Sequence, residues 1–131
     1  MQIGVDSSLA VGNQRIFVLD SDEISRMAVQ FMLHDEYETH EFSALAAAVG
    51  KARDWPPDLL IVGISYLQEQ GVHLLEQMEV EFPEAQLLLL LGEDDSPVAL
   101  AGKAMGLAQL RKPLRLETVR GTVAMILRNG Q

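Results

Sequence analysis

The sequence predicts an α/β fold, a (βα)5 domain with a doubly wound, five-stranded parallel sheet. Three observations predict it. Short apolar runs alternate with helical stripes five times in 131 residues. The runs are nearly continuous in apolar residues rather than alternating, as in strands buried on both faces. Helical crossovers separate them, which parallel pairing requires. Right-handed crossovers then wind the chain onto both faces of the sheet.

Residues 1–14 show no periodicity and contain Gly4, Ser7, Ser8, Gly12 and Asn13, so they read as a flexible leader to a domain of residues 15–131. Arg15 to Asp20 is an apolar run rich in β-formers, a buried strand. Ile24, Met27, Ala28 and Phe31 follow at i, i+3, i+4 and i+7, one face of a helix. Tyr37 to Phe42 is a shorter, more polar strand at an edge. Leu45, Ala48, Val49 and Ala52 repeat the helical spacing, and Trp55-Pro56-Pro57 stops that helix because the residue before proline avoids helical angles. Leu59 to Ile64 is a strand, and Leu75, Met78 and Phe82 mark a helix ended near Pro83. Leu87 to Leu91 has helical propensity but is short and bounded by Pro83 and Gly92, so it reads as a strand. Ser96-Pro97 opens a helix with an N-cap serine and an N1 proline, and Val98, Ala101 and Met105 face inward from it. Leu107 to Leu110 is the fifth strand. Leu116, Val119, Val123 and Ile126 stripe the last helix.

Composition narrows the function. The chain is 48% hydrophobic, too apolar for disorder, and its longest apolar run is far too short to span a membrane. It has no cysteine, hence no disulfide or thiolate chemistry. A cytoplasmic location without membrane contact is the expectation. The net charge of −9 argues against nucleic-acid binding, which needs clustered Lys and Arg. The charge is uneven. Lys103, Arg111, Lys112, Arg115, Arg120 and Arg128 face Glu117 alone in residues 103–131, a net +5, while residues 1–102 carry −14. Such asymmetry bears on association.

In a doubly wound sheet, ligands bind at the carboxyl ends of the strands. Those ends are Asp20-Ser21-Asp22, Gly63-Ile64-Ser65, Leu91-Gly92 and Arg111-Lys112-Pro113. Ser65 lies in the loop after its strand with no general base beside it, so it is a poor nucleophile. Asp58 sits at the far end of the same strand, roughly 16 Å away. Asp20, Asp22 and Lys112 converge, either as a residual ion site or as an Asp20–Lys112 ion pair. His34, His40 and His73 lack metal-ligand spacing and read as surface residues. Met27, Met32, Met78, Met105 and Met125 lie at or near stripe positions and read as core. No Gly-rich phosphate loop is present. Glu93, Asp94 and Asp95 beside these corners read as a solvated acidic loop, or as a barrier to phosphate donors.

Over residues 15–127 these corners resemble the receiver domain of two-component response regulators, which has flavodoxin-like topology. Asp20 matches the first of the family's two metal-binding acids, and Ser21 stands at the second with Asp22 next. Gly63 stands at the phosphoacceptor aspartate, in a register supported by Asp58 and by Gly71 eight residues on. Leu91 replaces the usual Thr or Ser, Gln109 the aromatic switch residue, and Lys112-Pro113 is intact.

The resemblance implies a degenerate, or pseudo-receiver, member. Glycine removes the nucleophile and a carboxylate ligand together, and a serine hydroxyl is a poor ligand for Mg²⁺. The degenerate site therefore comprises Asp20, Ser21, Asp22, Gly63, Leu91 and Lys112, with no catalytic residue, metal or cofactor. The expected function is a phosphorylation-independent protein-interaction module in phosphorelay signal transduction. The resemblance places its contact face on the helix after Ser96, the fifth strand and the last helix, with Lys103, Gln109, Arg111, Arg115 and Arg120. A homodimer through that face is one form such contact takes. Two other readings stand beside it: a small-molecule-binding doubly wound domain, and the N-terminal regulatory part of a longer response regulator whose output domain follows Gln131.

Overall fold

The computed structural model describes residues 14–92 and 96–129. In chain order they form β1 (Arg15–Leu19), α1 (Glu23–Leu33), β2 (Glu38–Phe42), α2 (Leu45–Ala52), β3 (Leu59–Gly63), α3 (Ile64–Gln70), α4 (Leu74–Glu81), β4 (Gln86–Leu91), α5 (Pro97–Ala104), β5 (Ala108–Arg111) and α6 (Leu116–Asn129). The five strands make one parallel sheet, as the apolar runs predict, and their order is β2-β1-β3-β4-β5, the flavodoxin-like topology that the resemblance implies. The leader lies outside the described residues except Gln14, whose carbonyl accepts from the Glu38 N–H at 3.1 Å. Glu93, Asp94 and Asp95 also lie outside them. No helix among the described residues is long and apolar enough to cross a membrane.

Alternation along the strands splits the core. Phe17, Leu19, Leu60, Val62, Leu89 and Leu91 point to one face and pack against α2, α3, α4 and α5. Ile16, Val18, Leu59, Ile61, Leu88 and Leu90 point to the other and pack against α1 and α6. Burial on both faces overrides the helical propensity of the leucine run: Leu88 to Leu91 are fully buried in β4.

The structure corrects the phase of three helices. In α1 the buried positions are Ser25, Val29 and Leu33, while Ile24, Met27 and Phe31 face solvent. The helix carries two apolar stripes about half a turn apart, and a sheet covers only one. Ser25 tolerates burial because its hydroxyl donates to Asp22 Oδ2 at 2.7 Å. In α5 the buried residues are Val98, Ala99 and Gly102, leaving Met105 exposed. In α6, Val119, Val123 and Leu127 form the core stripe, with Leu116 exposed and Ile126 half-buried. Of the five methionines placed near stripes, Met78 is core, Met32 is half-buried, and Met27, Met105 and Met125 are exposed.

A second correction concerns the segment after β3. Ser65 lies in the first turn of α3, which begins directly after Gly63, and not in a loop. Gly71 ends α3 at φ +107°, where a Cβ would also strike the His73 ring, so only glycine fits. Burial of α3 brings Tyr66 under α2, where its hydroxyl accepts from the Leu45 N–H at 2.9 Å. That bond caps α2, whose N-cap Ala44 has no side chain able to do so.

Two outcomes follow. Leu33→Ala should cost about 2–5 kcal/mol in denaturant unfolding, whereas Phe31→Ala should stay within about 0.5 kcal/mol. Equal costs would restore the phase read from the sequence. Tyr66→Phe should cost about 1 kcal/mol through the lost α2 cap.

Candidate functional site

Adjacent parallel strands build the site. β1 and β3 pair with Leu19 opposite Val62, so the next residues, Asp20 and Gly63, lie side by side at the strand ends. Asp20 is 2% exposed, and its Oδ1 accepts from the Asp22 N–H at 3.0 Å. A Cβ placed on Gly63 would overlap the Asp20 carboxylate. The backbone at Gly63 is extended, with φ −77° and ψ 142°, so glycine serves here for space and not for an unusual conformation. The slot where a side chain at residue 63 would begin is filled by the carboxylate of residue 20.

Asp22 has a different surrounding. It caps α1, accepting from the Ile24 N–H at 3.2 Å and the Ser25 hydroxyl at 2.7 Å, and its Oδ2 lies 3.4 Å from Lys112 Nζ. The expected Asp20–Lys112 ion pair is thus replaced by Asp22–Lys112. Both partners of that pair sit about one-third exposed, where the ammonium keeps part of its hydration, whereas Asp20 is buried. Burial pushes the Asp20 carboxyl above its ordinary 3.8; the Asp22 N–H, Lys112 and Arg26 oppose that push and the Asp22 charge adds to it. The Ser25 hydroxyl first, and then Lys112, hold Asp22 below the same value.

The remaining corners offer little chemistry. Ser21 Oγ is buried without a hydrogen-bond partner. Leu91 is fully buried, and its carbonyl accepts from the Lys112 N–H at 3.1 Å. Among the described residues no group of three or more His, Asp or Glu side chains is arranged to hold a metal ion. One buried carboxylate, a hydroxyl and a glycine do not fit the oxygen-rich shell that Mg²⁺ takes. Asp58 is far from the site and accepts from the Arg15 N–H at 2.7 Å. His34 and His73 are exposed, while His40 is half-buried beside Glu38 and Phe17.

Of the residues expected on the contact face, Lys103, Arg111 and Arg115 are exposed on α5, at the end of β5 and before α6. Gln109 turns inward, and its Nε2 donates to the Ala99 carbonyl at 3.0 Å. Arg120 is engaged within the chain: it contacts both Asp35 oxygens at 2.8 and 3.0 Å and the Met32 carbonyl at 2.9 Å, tying α6 to the end of α1. Sequence reasoning missed Arg26, which donates to the Asp20 carbonyl at 2.8 Å and pairs with Glu41. Its helical spacing does not reveal those partners.

Two experiments probe the slot. Gly63→Ala should be destabilising by about 1–3 kcal/mol, and much less so in an Asp20→Ala background. Additive effects of the two changes would show that the residues do not share the space. Asp20→Asn tests the buried charge. A carboxyl raised above 3.8 binds more protons in the native state than in the unfolded chain, so its contribution to stability falls as pH rises through the window above 3.8. The Asn variant should therefore be more stable than the parent at neutral pH, and its advantage should shrink as pH drops through that window. Asp22 acts with the opposite sign, its contribution being lost as pH falls below 3.8, but it is common to both proteins. An unfolding series in pH, read as the difference between the two, isolates Asp20.

No family model matches the chain, and no curated protein matches it. Solved structures do. NtrX from Brucella abortus superposes with a TM-score of 0.79 at 22% identity, over 90% of this chain and 27% of that one, so the chain spans about a quarter of that protein. A response regulator from Thermotoga maritima gives 0.74 at 21% identity, covering 88% of this chain and 98% of the other. A CheY-like receiver domain protein from Methanospirillum hungatei JF-1 gives 0.77 at 18% identity, covering 91% and 97%. At such identities the likeness carries the fold, and the chain has the fold of a response-regulator receiver domain.

Proposed function

We propose that this receiver-fold domain is a phosphorylation-independent protein-interaction module in signal transduction, and that it performs no chemistry of its own. The observation that supports this most is the Asp20 carboxylate lying where a side chain on Gly63 would start. A phosphoacceptor needs a carboxylate nucleophile with room for an incoming phosphoryl group and a cation to offset its charge. Here the nucleophile position is glycine, the space is filled, and the nearest ammonium is held by Asp22.

The same reading extends to signal transmission. A switch needs differential contacts with two conformations. Leu91 has no hydroxyl to contact a phosphoryl group, and Gln109 is hydrogen-bonded to the α5 backbone. The domain thus acts as a fixed surface. Its contact face is formed by α5, β5 and the start of α6, where Lys103, Arg111 and Arg115 are exposed, and the partner is a signalling protein of the cytoplasm or a second copy. Arg120 belongs to the internal α1–α6 contact, so reversing its charge would act on stability and not on partner contact alone.

Incubation with acetyl phosphate and Mg²⁺, followed by intact-mass measurement, should leave the mass unchanged. Amide exchange over residues 96–115 should be the same with and without the donor. A stoichiometric phosphoryl adduct at the strand ends would overturn the reading.

A further inference from the structure

Between α4 and α5 the surface sinks into a groove of about 470 Å³, open to solvent. Its floor is apolar, built from Val72 just before α4 and from Ala101, Ala104 and Met105 on the α5 side. Two of these are alanines, so a partner's side chains can come close to the α5 backbone. The α4 wall is polar and acidic. His73, Glu76 and Glu79 follow at i, i+3 and i+6, a ladder about 9 Å long on one side of the helix. Both carboxylates are exposed, and among the described residues neither makes a hydrogen bond or an ion pair. Among the same residues no Lys or Arg lines the groove.

We propose that this groove takes an amphipathic helix of a partner protein, one whose flank carries Lys or Arg. Charge complementarity fixes the sign of the partner. Two unpaired carboxylates on a chain of net charge −9 attract a cationic flank and repel an acidic one. The spacing fixes the form. Carboxylates three residues apart on α4 are matched by cations at the same rise on a helix laid alongside, while the floor receives that helix's apolar stripe. Met105 is 38% exposed, and its flexible thioether adapts to what enters. Val80, one turn beyond Glu76, is 76% exposed, and Leu100, one turn before Ala104, is 56% exposed. They extend the apolar surface along both helices. A free small molecule would need a site that encloses most of its surface, which an open groove does not provide.

A helix of two or three turns in this groove buries less than about 1,200 Å², the range of weak, transient signalling contacts. The contact is independent of the strand-end site and of the basic α5–β5–α6 face. Lys103 stands two residues from Ala101, about 200° around α5, and so belongs to the opposite side of that helix. The two sides of α5 thus carry opposite charge. A partner suited to one is repelled by the other, which sorts partners by sign.

The probe is a fluorescent synthetic helix of Leu, Ala and Lys, with leucines along one stripe and lysines on its flanks. Its control carries Glu at every Lys position. Anisotropy titration with the full chain should show binding of the first and none of the second, and binding should weaken about tenfold between about 50 and 500 mM NaCl. Glu76→Lys with Glu79→Lys should weaken it about tenfold or more. Glu84→Lys with Glu117→Lys changes the net charge equally at exposed sites outside the groove and should leave it within about twofold. Arg115→Glu, on the other face, should also leave it within that range. Ala104→Arg should abolish binding while circular dichroism stays unchanged, since Ala104 is exposed. Equal losses from the two glutamate pairs would mean general attraction of a cation to an acidic chain, and would overturn the proposal. So would no binding of the Lys peptide, equal binding of the Glu peptide, or hexylammonium displacing the peptide at the peptide's own concentration, which would make the groove a small-cation site.

Discussion

Everything at the strand ends depends on a register: β1 pairs with β3 so that Leu19 lies against Val62. Neighbouring strands are about 4.8 Å apart, so the residues that follow, 20 and 63, compete for one small volume. Two carboxylates about 4 Å apart repel by about 4 kcal/mol at an effective dielectric near 20. A site that holds both needs a cation between them. This chain holds one, Asp20, and its neighbour Gly63 has no side chain, so the carboxylate occupies the space beside it.

The consequences spread from that packing. With Asp20 buried against Gly63, the more accessible carboxylate at the corner is Asp22, and Lys112 lies beside it. Asp22 is also the α1 cap, so the same residue that receives the lysine fixes where α1 begins. Arg26, one turn on, returns to the Asp20 carbonyl and fastens the helix to the end of β1. The corner is thus held by ordinary ion pairs and caps, each making a modest contribution. On the far side, Gln109 binds the α5 backbone from β5, where its amide joins strand to helix.

The rotation of α1 follows from the same contacts. Asp22 caps the helix and accepts from Ser25, which turns Ser25, Val29 and Leu33 toward the sheet. The second stripe is thereby turned outward, and Arg120 holds the helix in that orientation from α6. A surface rich in apolar side chains is therefore a by-product of how the site is built. Its exposure makes it available to another molecule.

The sequence by itself determined the succession of the five strands, the parallel sheet and the residues at the strand ends, because apolar periodicity and Gly/Pro punctuation are local properties of the chain. Gly63 was legible as a strand end because the apolar run from Leu59 stops there. Three matters were decided only in three dimensions. The face of α1 that is buried depends on which of two stripes the crossover presents to the sheet, a choice that periodicity leaves open. The partner of Lys112 depends on how deeply Asp20 and Asp22 are buried, and burial is a property of the packed strand ends. Arg120 reads as a surface charge in sequence, but packing of α6 beside α1 brings it to Asp35, 85 residues away. Such pairings are set by tertiary geometry, and no local pattern encodes them.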